Sequence, residues 1–149
     1  MEQHQPVLGL TVIGVGNRDR GDDAIGPVVA DRVSDRWPTM VVEGDLSDLA
    51  LRWPLDDHVV VIDATVTTSP PGTVRVVDVD SIETVRTVST HGIGLGDAIT
   101  LARHLERLPV RLTVIGVEAH RFDELAPLSG PVAAAVDQVV QMLGELAAG

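Results

Sequence analysis

The sequence predicts an α/β protein: a three-layer α/β/α sandwich with a mostly parallel sheet of about five strands and one antiparallel edge strand. Three observations lead there. Short runs rich in Val and Ile alternate with stretches whose apolar residues recur at helical spacing, the order expected when helices cover both faces of a parallel sheet. The hydrophobic share is 44%, yet Trp37, Trp53 and Phe122 are the only aromatic residues, so the core has to be aliphatic, as buried parallel strands are. The 149 residues suit one domain, 1–149, and no repeat, low-complexity stretch or linker divides them.

Leu8 to Val15 reads as a buried first strand that ends in a tight turn, Gly14-Val15-Gly16. Val29, Val33 and Trp37 then fall on one helical face, and Pro27 is tolerated in the first turn, where backbone N–H groups lack intrahelical acceptors. A short strand is expected over Thr39 to Glu43, a helix over Leu46 to Trp53, and a strand buried on both faces over His58 to Asp63. Pro70-Pro71-Gly72 makes a turn into a Thr73 to Val79 strand. That connection is too short for a crossover helix, so the strand is the expected antiparallel edge. Leu95, Ile99, Ala102 and Leu105 mark the next helix, Val110 to Val117 a further strand, and Val132, Val136, Val139, Leu143 and Leu146 a final helix with Ser129 as its N-cap.

The formal charge of −11 sets the surface against phosphates and anionic lipid, and so few aromatics offer no platform for stacked bases. Nucleic-acid and membrane partners are therefore not expected. The absence of cysteine excludes disulfides and thiolate ligands from this chain. Met1 to Pro6 lack the basic and apolar regions of a secretory signal, and no run approaches the ~18 apolar residues of a membrane span. The expectation is a cytoplasmic monomer.

In an open α/β sheet, ligands bind beyond the carboxyl ends of the strands. Asp22 and Asp23 follow the first strand, Asp63 ends the His58 to Asp63 strand, and His91 precedes the helix that begins near Gly94. Only the fold can bring such distant residues together. Two carboxylates and an imidazole suit a first-row divalent metal such as nickel or zinc, with positions left for water or substrate. The bland reading makes each Asp a cap or turn former and His91 a surface residue. Glu118, at a strand end, is placed to reach the same crevice, whereas His4, His58 and His120 carry no specific pattern and His104 falls on a solvated face beside Arg103. Arg18 and Arg20 flank the cleft, either to steer an acidic peptide or as part of a solvated loop.

Gly14-Val15-Gly16 also begins a dinucleotide fingerprint, but Asp19 stands where the third glycine belongs, and Asp22-Asp23 would put negative charge where a pyrophosphate must sit. No phosphate loop, Gly-x-Ser-x-Gly elbow or His-Glu-x-x-His helix is present. Ser89 and Thr90 adjoin His91, but chain neighbours seldom form a nucleophile–base pair.

In order along the chain stand Gly14-Val15-Gly16-Asn17, Gly21-Asp22-Asp23-Ala24-Ile25-Gly26-Pro27, Val61-Ile62-Asp63-Ala64, Pro71-Gly72-Thr73, Ser89-Thr90-His91-Gly92 and Leu128-Ser129. This ordered set resembles the nickel-iron hydrogenase maturation proteases, and the resemblance runs from about Leu8 to the final helix. It implies an endopeptidase that removes a C-terminal extension from the hydrogenase large-subunit precursor after nickel insertion. It also implies that Asp23, Asp63 and His91 are the metal-binding and catalytic residues, with nickel presented by the substrate's own cysteines and zinc or another divalent metal able to substitute. If the metal serves recognition alone, Asp22, Asp63 or a water must carry the proton.

Two departures bear on substrate choice: Glu43-Gly44-Asp45-Leu46 replaces the family's Gly-Gly-Thr-like loop, and Ala119-His120 follows the Gly-Val-Glu strand end where proline is common. The rival readings are a nucleotide or small-ligand binding module and a chaperone that holds the large subunit without cutting it.

Overall fold

The computed structural model describes residues 8–79 and 94–149. His91 and its Ser89-Thr90 neighbours lie outside the described residues. The strands are β1 (Leu10–Val15), β2 (Thr39–Val42), β3 (His58–Thr65), β4 (Val74–Val77) and β5 (Arg111–Glu118); the helices are α1 (Ile25–Val33), α2 (Leu49–Arg52), α3 (Leu95–His104) and α4 (Gly130–Ala148). The five strands form one sheet in the order β2-β1-β3-β5-β4. All neighbours are parallel except β4, which pairs antiparallel with β5 at the edge, Val74 opposite Val117 and Val77 opposite Val114.

The three layers follow from strand periodicity, since successive side chains point to opposite faces. All eight residues of β3 are buried. Val59 and Val61 pack with Val114, with Leu49 and Ala50 of α2, and with Leu95, Ile99 and Ala102 of α3. Val60, Ile62 and Ala64 face the other way, onto Ile25, Val29 and Val33 of α1 and Val132, Val136, Val139 and Leu143 of α4. Burying each such Val, Ile or Leu stabilises the fold by roughly 1.5–3 kcal/mol, so the central strand is pinned from both sides.

Element boundaries differ from the sequence expectation in ways that matter locally. β3 runs on to Thr65, so Asp63 sits within the strand two residues before its end. Between β1 and α1 lies a 3-10 turn, Gly21–Ala24, that carries Asp22 and Asp23. α1 stops at Val33, which leaves Trp37 outside the helix but packed against the α1/α4 core. α2 is a single turn.

β2 lies on one side of β1 and β3 on the other, so the winding reverses between β1 and β3. Such a reversal opens a crevice at the carboxyl ends of the two strands. Two glycines let α1 start hard against the sheet there: a Cβ on Gly14 would stand 2.2 Å from the Gly26 carbonyl oxygen, and one on Gly26 would stand 2.5 Å from those of Ile62 and Val15. The turn bearing Asp22 and Asp23 is thereby held over the crevice.

Candidate functional site

Asp23 and Asp63 reach the crevice from the two strands that flank it, one through the turn after β1 and one within β3. Their exposures are 4% and 1%. Asp23 Oδ2 accepts the Asn17 backbone N–H at 3.0 Å, while Oδ1 of Asp23 and Oδ1 of Asp63 are buried with no hydrogen-bond partner among the described residues. Gly16, at φ +141°, makes room for this arrangement, since a Cβ would stand 1.9 Å from the Asp23 carbonyl oxygen.

Burial disfavours the charged form of both groups. It pushes the Asp63 carboxyl well above the usual carboxylate range, the nearby Asp23 charge pushes it further, and the Ala64 N–H opposes both. Burial likewise raises Asp23; the Asn17 N–H and the Arg20 charge pull it down, and Glu43 pushes it up. Among the described residues the crevice therefore has negative charge to give and lacks the donors to stabilise it. A divalent cation fits that deficit: it would neutralise the two carboxylates and take up the two unpartnered oxygens. Among the described residues no group of three His, Cys, Asp or Glu side chains is arranged to hold a metal ion. The third proposed ligand, His91, lies outside them.

Asp22 behaves oppositely. Although burial alone would raise its pKa, the N–H groups of Ser129, His120 and Arg121 and the Ser129 hydroxyl outweigh that and lower it. A carboxylate so saturated is a poor proton carrier, which removes Asp22 from the three candidates the sequence left open.

Glu118 is buried at the strand end as expected, but its oxygens are engaged: Oε2 accepts the Thr67 N–H at 2.7 Å, Oε1 accepts the Thr67 hydroxyl at 2.7 Å and the Thr65 hydroxyl at 3.3 Å, and Arg75 Nη2 lies 3.6 Å from Oε1. His58 is also buried, with its Nε2 2.8 Å from the Thr113 hydroxyl. Arg18 is paired with Asp31 of α1, and its backbone N–H donates to Glu43 Oε1 at 3.2 Å. That brings Glu43, from the atypical loop after β2, into the electrostatics of Asp23. In the sequence this loop stands out only as a departure, and no local signal marks Asn17. A hollow of about 300 Å3 lined by Asn17, Asp19, Arg20, Glu124 and Leu125 opens beside the turn.

Comparison with known proteins points one way. The family model described as hydrogenase maturation protease matches residues 47–145. The chain is 27% identical to the Hydrogenase 2 maturation protease of Escherichia coli K12 over 149 aligned residues, 91% of this chain and 88% of that one. It is 26% identical to the Hydrogenase 3 maturation protease of the same organism, over 87% of this chain and 85% of that one. Among solved structures, the hydrogenase maturating endopeptidase HybD from E. coli superposes with a TM-score of 0.74 at 25% identity, over 91% of this chain and 90% of that one. The fold is also that of the [NiFe] hydrogenase maturation protease HybD from Thermococcus kodakarensis, with a TM-score of 0.76 at 23% identity, over 94% and 99% of the two chains.

Proposed function

We propose, since this chain belongs to the hydrogenase maturation protease family, that it reads and cuts a nickel-loaded large-subunit precursor at the crevice of Asp23 and Asp63, with His91 as the third ligand. The activity is that of the family: an endopeptidase that removes the C-terminal extension of the hydrogenase large subunit. Nickel belongs to the substrate in this reading, held by the precursor's cysteines, and zinc or another divalent ion can stand in for it. The observation that carries the proposal is the pair of buried oxygens, without a hydrogen-bond partner among the described residues, at the point where the sheet reverses its winding.

The protein's own part is to present charge and exclude water. Asp23 and Asp63 supply carboxylate oxygens to the cation, and His91 supplies an imidazole. A bound divalent ion offers Lewis acidity toward a nearby carbonyl or water. The buried setting strengthens every charge interaction in the crevice relative to bulk water. The net reaction adds water across one peptide bond, giving a new carboxylate and a new amine. The same reading takes the protein to work as a cytoplasmic monomer, without nucleic-acid or membrane partners; among the described residues no helix is long and apolar enough to cross a membrane.

The test is the intact mass of a cognate large-subunit precursor incubated with the protein, nickel-loaded in one tube and nickel-free in the other. Loss of a C-terminal peptide from the loaded precursor alone is the expected result. Equal cutting of both would remove nickel from the reading, and tight binding with no mass change would replace the protease by a non-cleaving chaperone.

A further inference from the structure

Asp22 is fully buried. Its Oδ1 accepts the Ser129 N–H at 2.6 Å, and its Oδ2 accepts the His120 N–H at 2.7 Å, the Arg121 N–H at 2.8 Å and the Ser129 hydroxyl at 2.8 Å. All four donors come from the segment between β5 and α4. Backbone contacts join the same two segments: the Asp22 N–H donates to the Arg121 carbonyl at 2.7 Å, the Leu125 N–H donates to the Asp19 carbonyl at 2.6 Å, and Arg20 and Glu124 form an antiparallel β-bridge. Gly21, at φ +53°, packs so closely that a Cβ would stand 2.4 Å from the Arg121 carbonyl oxygen.

Asp23 is the next residue on the same turn and, among the described residues, has one donor on Oδ2 and a buried Oδ1 without a partner. One hydrogen bond cannot fix a carboxylate against its neighbours' repulsion, so its aim must be set by the backbone that carries it. We infer that Asp22 is a positioning residue for the reaction: by gathering Ser129, His120 and Arg121 it locks the turn and fixes where the free oxygen of Asp23 points. This rests on reading Asp23 as a site residue. Ser129 illustrates the priority, since it occupies the N-cap of α4 yet makes no side-chain cap bond and gives its hydroxyl to Asp22 instead. A hydrogen bond to a charged acceptor is about twice as strong as a neutral one, which offsets the lost cap. Only an aspartate meets the geometry from both oxygens; asparagine keeps one acceptor and turns an amide donor toward groups that themselves donate.

The experiment compares Asp22→Asn, Ser129→Ala and Ser129→Thr with wild type, and carries Asp23→Asn as a control. Two readouts are taken: steady-state cleavage of the nickel-loaded precursor, and the amide resonance and exchange rate of Asn17, whose N–H senses the Asp23 carboxylate without any need for activity. Asp22→Asn and Ser129→Ala are expected to lower kcat roughly 10- to 100-fold with KM within about twofold, the range typical of residues that orient a ligand. They should also shift the Asn17 amide and speed its exchange, and Ser129→Thr should restore both. Folded Asp22→Asn or Ser129→Ala protein with wild-type kcat and an unchanged Asn17 amide would overturn the inference. Should Asp22→Asn not fold, Ser129→Ala, which deletes one bond of the four, decides. Wild-type cutting by Asp23→Asn would sink the site reading instead, and the Asn17 amide would still decide whether Asp22 positions Asp23.

Discussion

Two carboxylates one residue apart, Asp22 and Asp23, occupy opposite environments. Asp22 faces the segment between β5 and α4 and accepts four hydrogen bonds. Asp23 faces the crevice with Asp63, and each of the pair keeps a buried oxygen that accepts nothing from the described residues. The donors lower the pKa of the first, while burial raises those of the other two. Donor-rich burial turns a charge into a fastener, whereas donor-poor burial leaves it in need of a cation or a proton. The second arrangement costs folding free energy, and such costs concentrate where function requires them.

The contrast is broken most severely at the crevice. Asp23→Asn and Asp63→Asn should each reduce processing of a nickel-loaded precursor by more than the roughly 10- to 100-fold that orienting residues cost, as read by mass spectrometry of the released peptide. Removal of accessible nickel from the precursor should have the same effect on the wild-type protein.

The next effect is on stability, at the other carboxylate. Asp22→Ala leaves four donors facing a vacancy and should cost about 2–4 kcal/mol, measured by urea unfolding. Its folded pKa lies below the unfolded value, so its stabilisation is present above the unfolded pKa and is lost as pH falls through the folded one. The Asp22→Ala variant should accordingly show a flatter acid limb than wild type.

Asp63 has the reverse sign. Its folded pKa lies above the unfolded value, so the protein loses stability as pH rises from the unfolded pKa through the folded one. Without metal, Asp63→Asn should therefore be at least as stable as wild type at neutral pH, with the difference closing as pH is lowered. A thermal-unfolding series over pH checks this; a drop in Tm at every pH would contradict it. The smallest effect sets the baseline: His104→Ala, on an exposed site, should stay within about 0.5 kcal/mol and leave processing intact.

The sheet and its helices were legible because Val-rich runs and helical spacing report burial directly, and the short Pro70-Pro71-Gly72 connection forced the antiparallel edge. Asp63 was legible as well, since it closes an apolar run that had to lie inside. The family resemblance singled out Asp23 over Asp22, but the physical difference between them was not legible, because identical neighbours differ in donors supplied by residues 120–129, and local sequence holds no record of that contact. The loop of Glu43 stood out as a departure, but the effect of Glu43 on Asp23 did not, for a related reason: it depends on β2 lying beside β1. Glu118 was placed at the correct end of the sheet, but its engagement with Thr65, Thr67 and Arg75 is a matter of side-chain packing. The length of β3 beyond Asp63 was hidden because Ala64 and Thr65 lack the apolar bulk that marked the rest of the strand.

The measurement that bears most directly on the crevice is a paired one on a single preparation of Asp63→Asn: the rate of C-terminal peptide release from a nickel-loaded precursor, and the Tm of the same sample without metal. Lost cleavage with a Tm equal to or above that of wild type is the predicted result, the mark of a carboxylate kept for chemistry at the expense of stability. Wild-type cleavage, whatever the Tm, would contradict the assignment of Asp63 to the site.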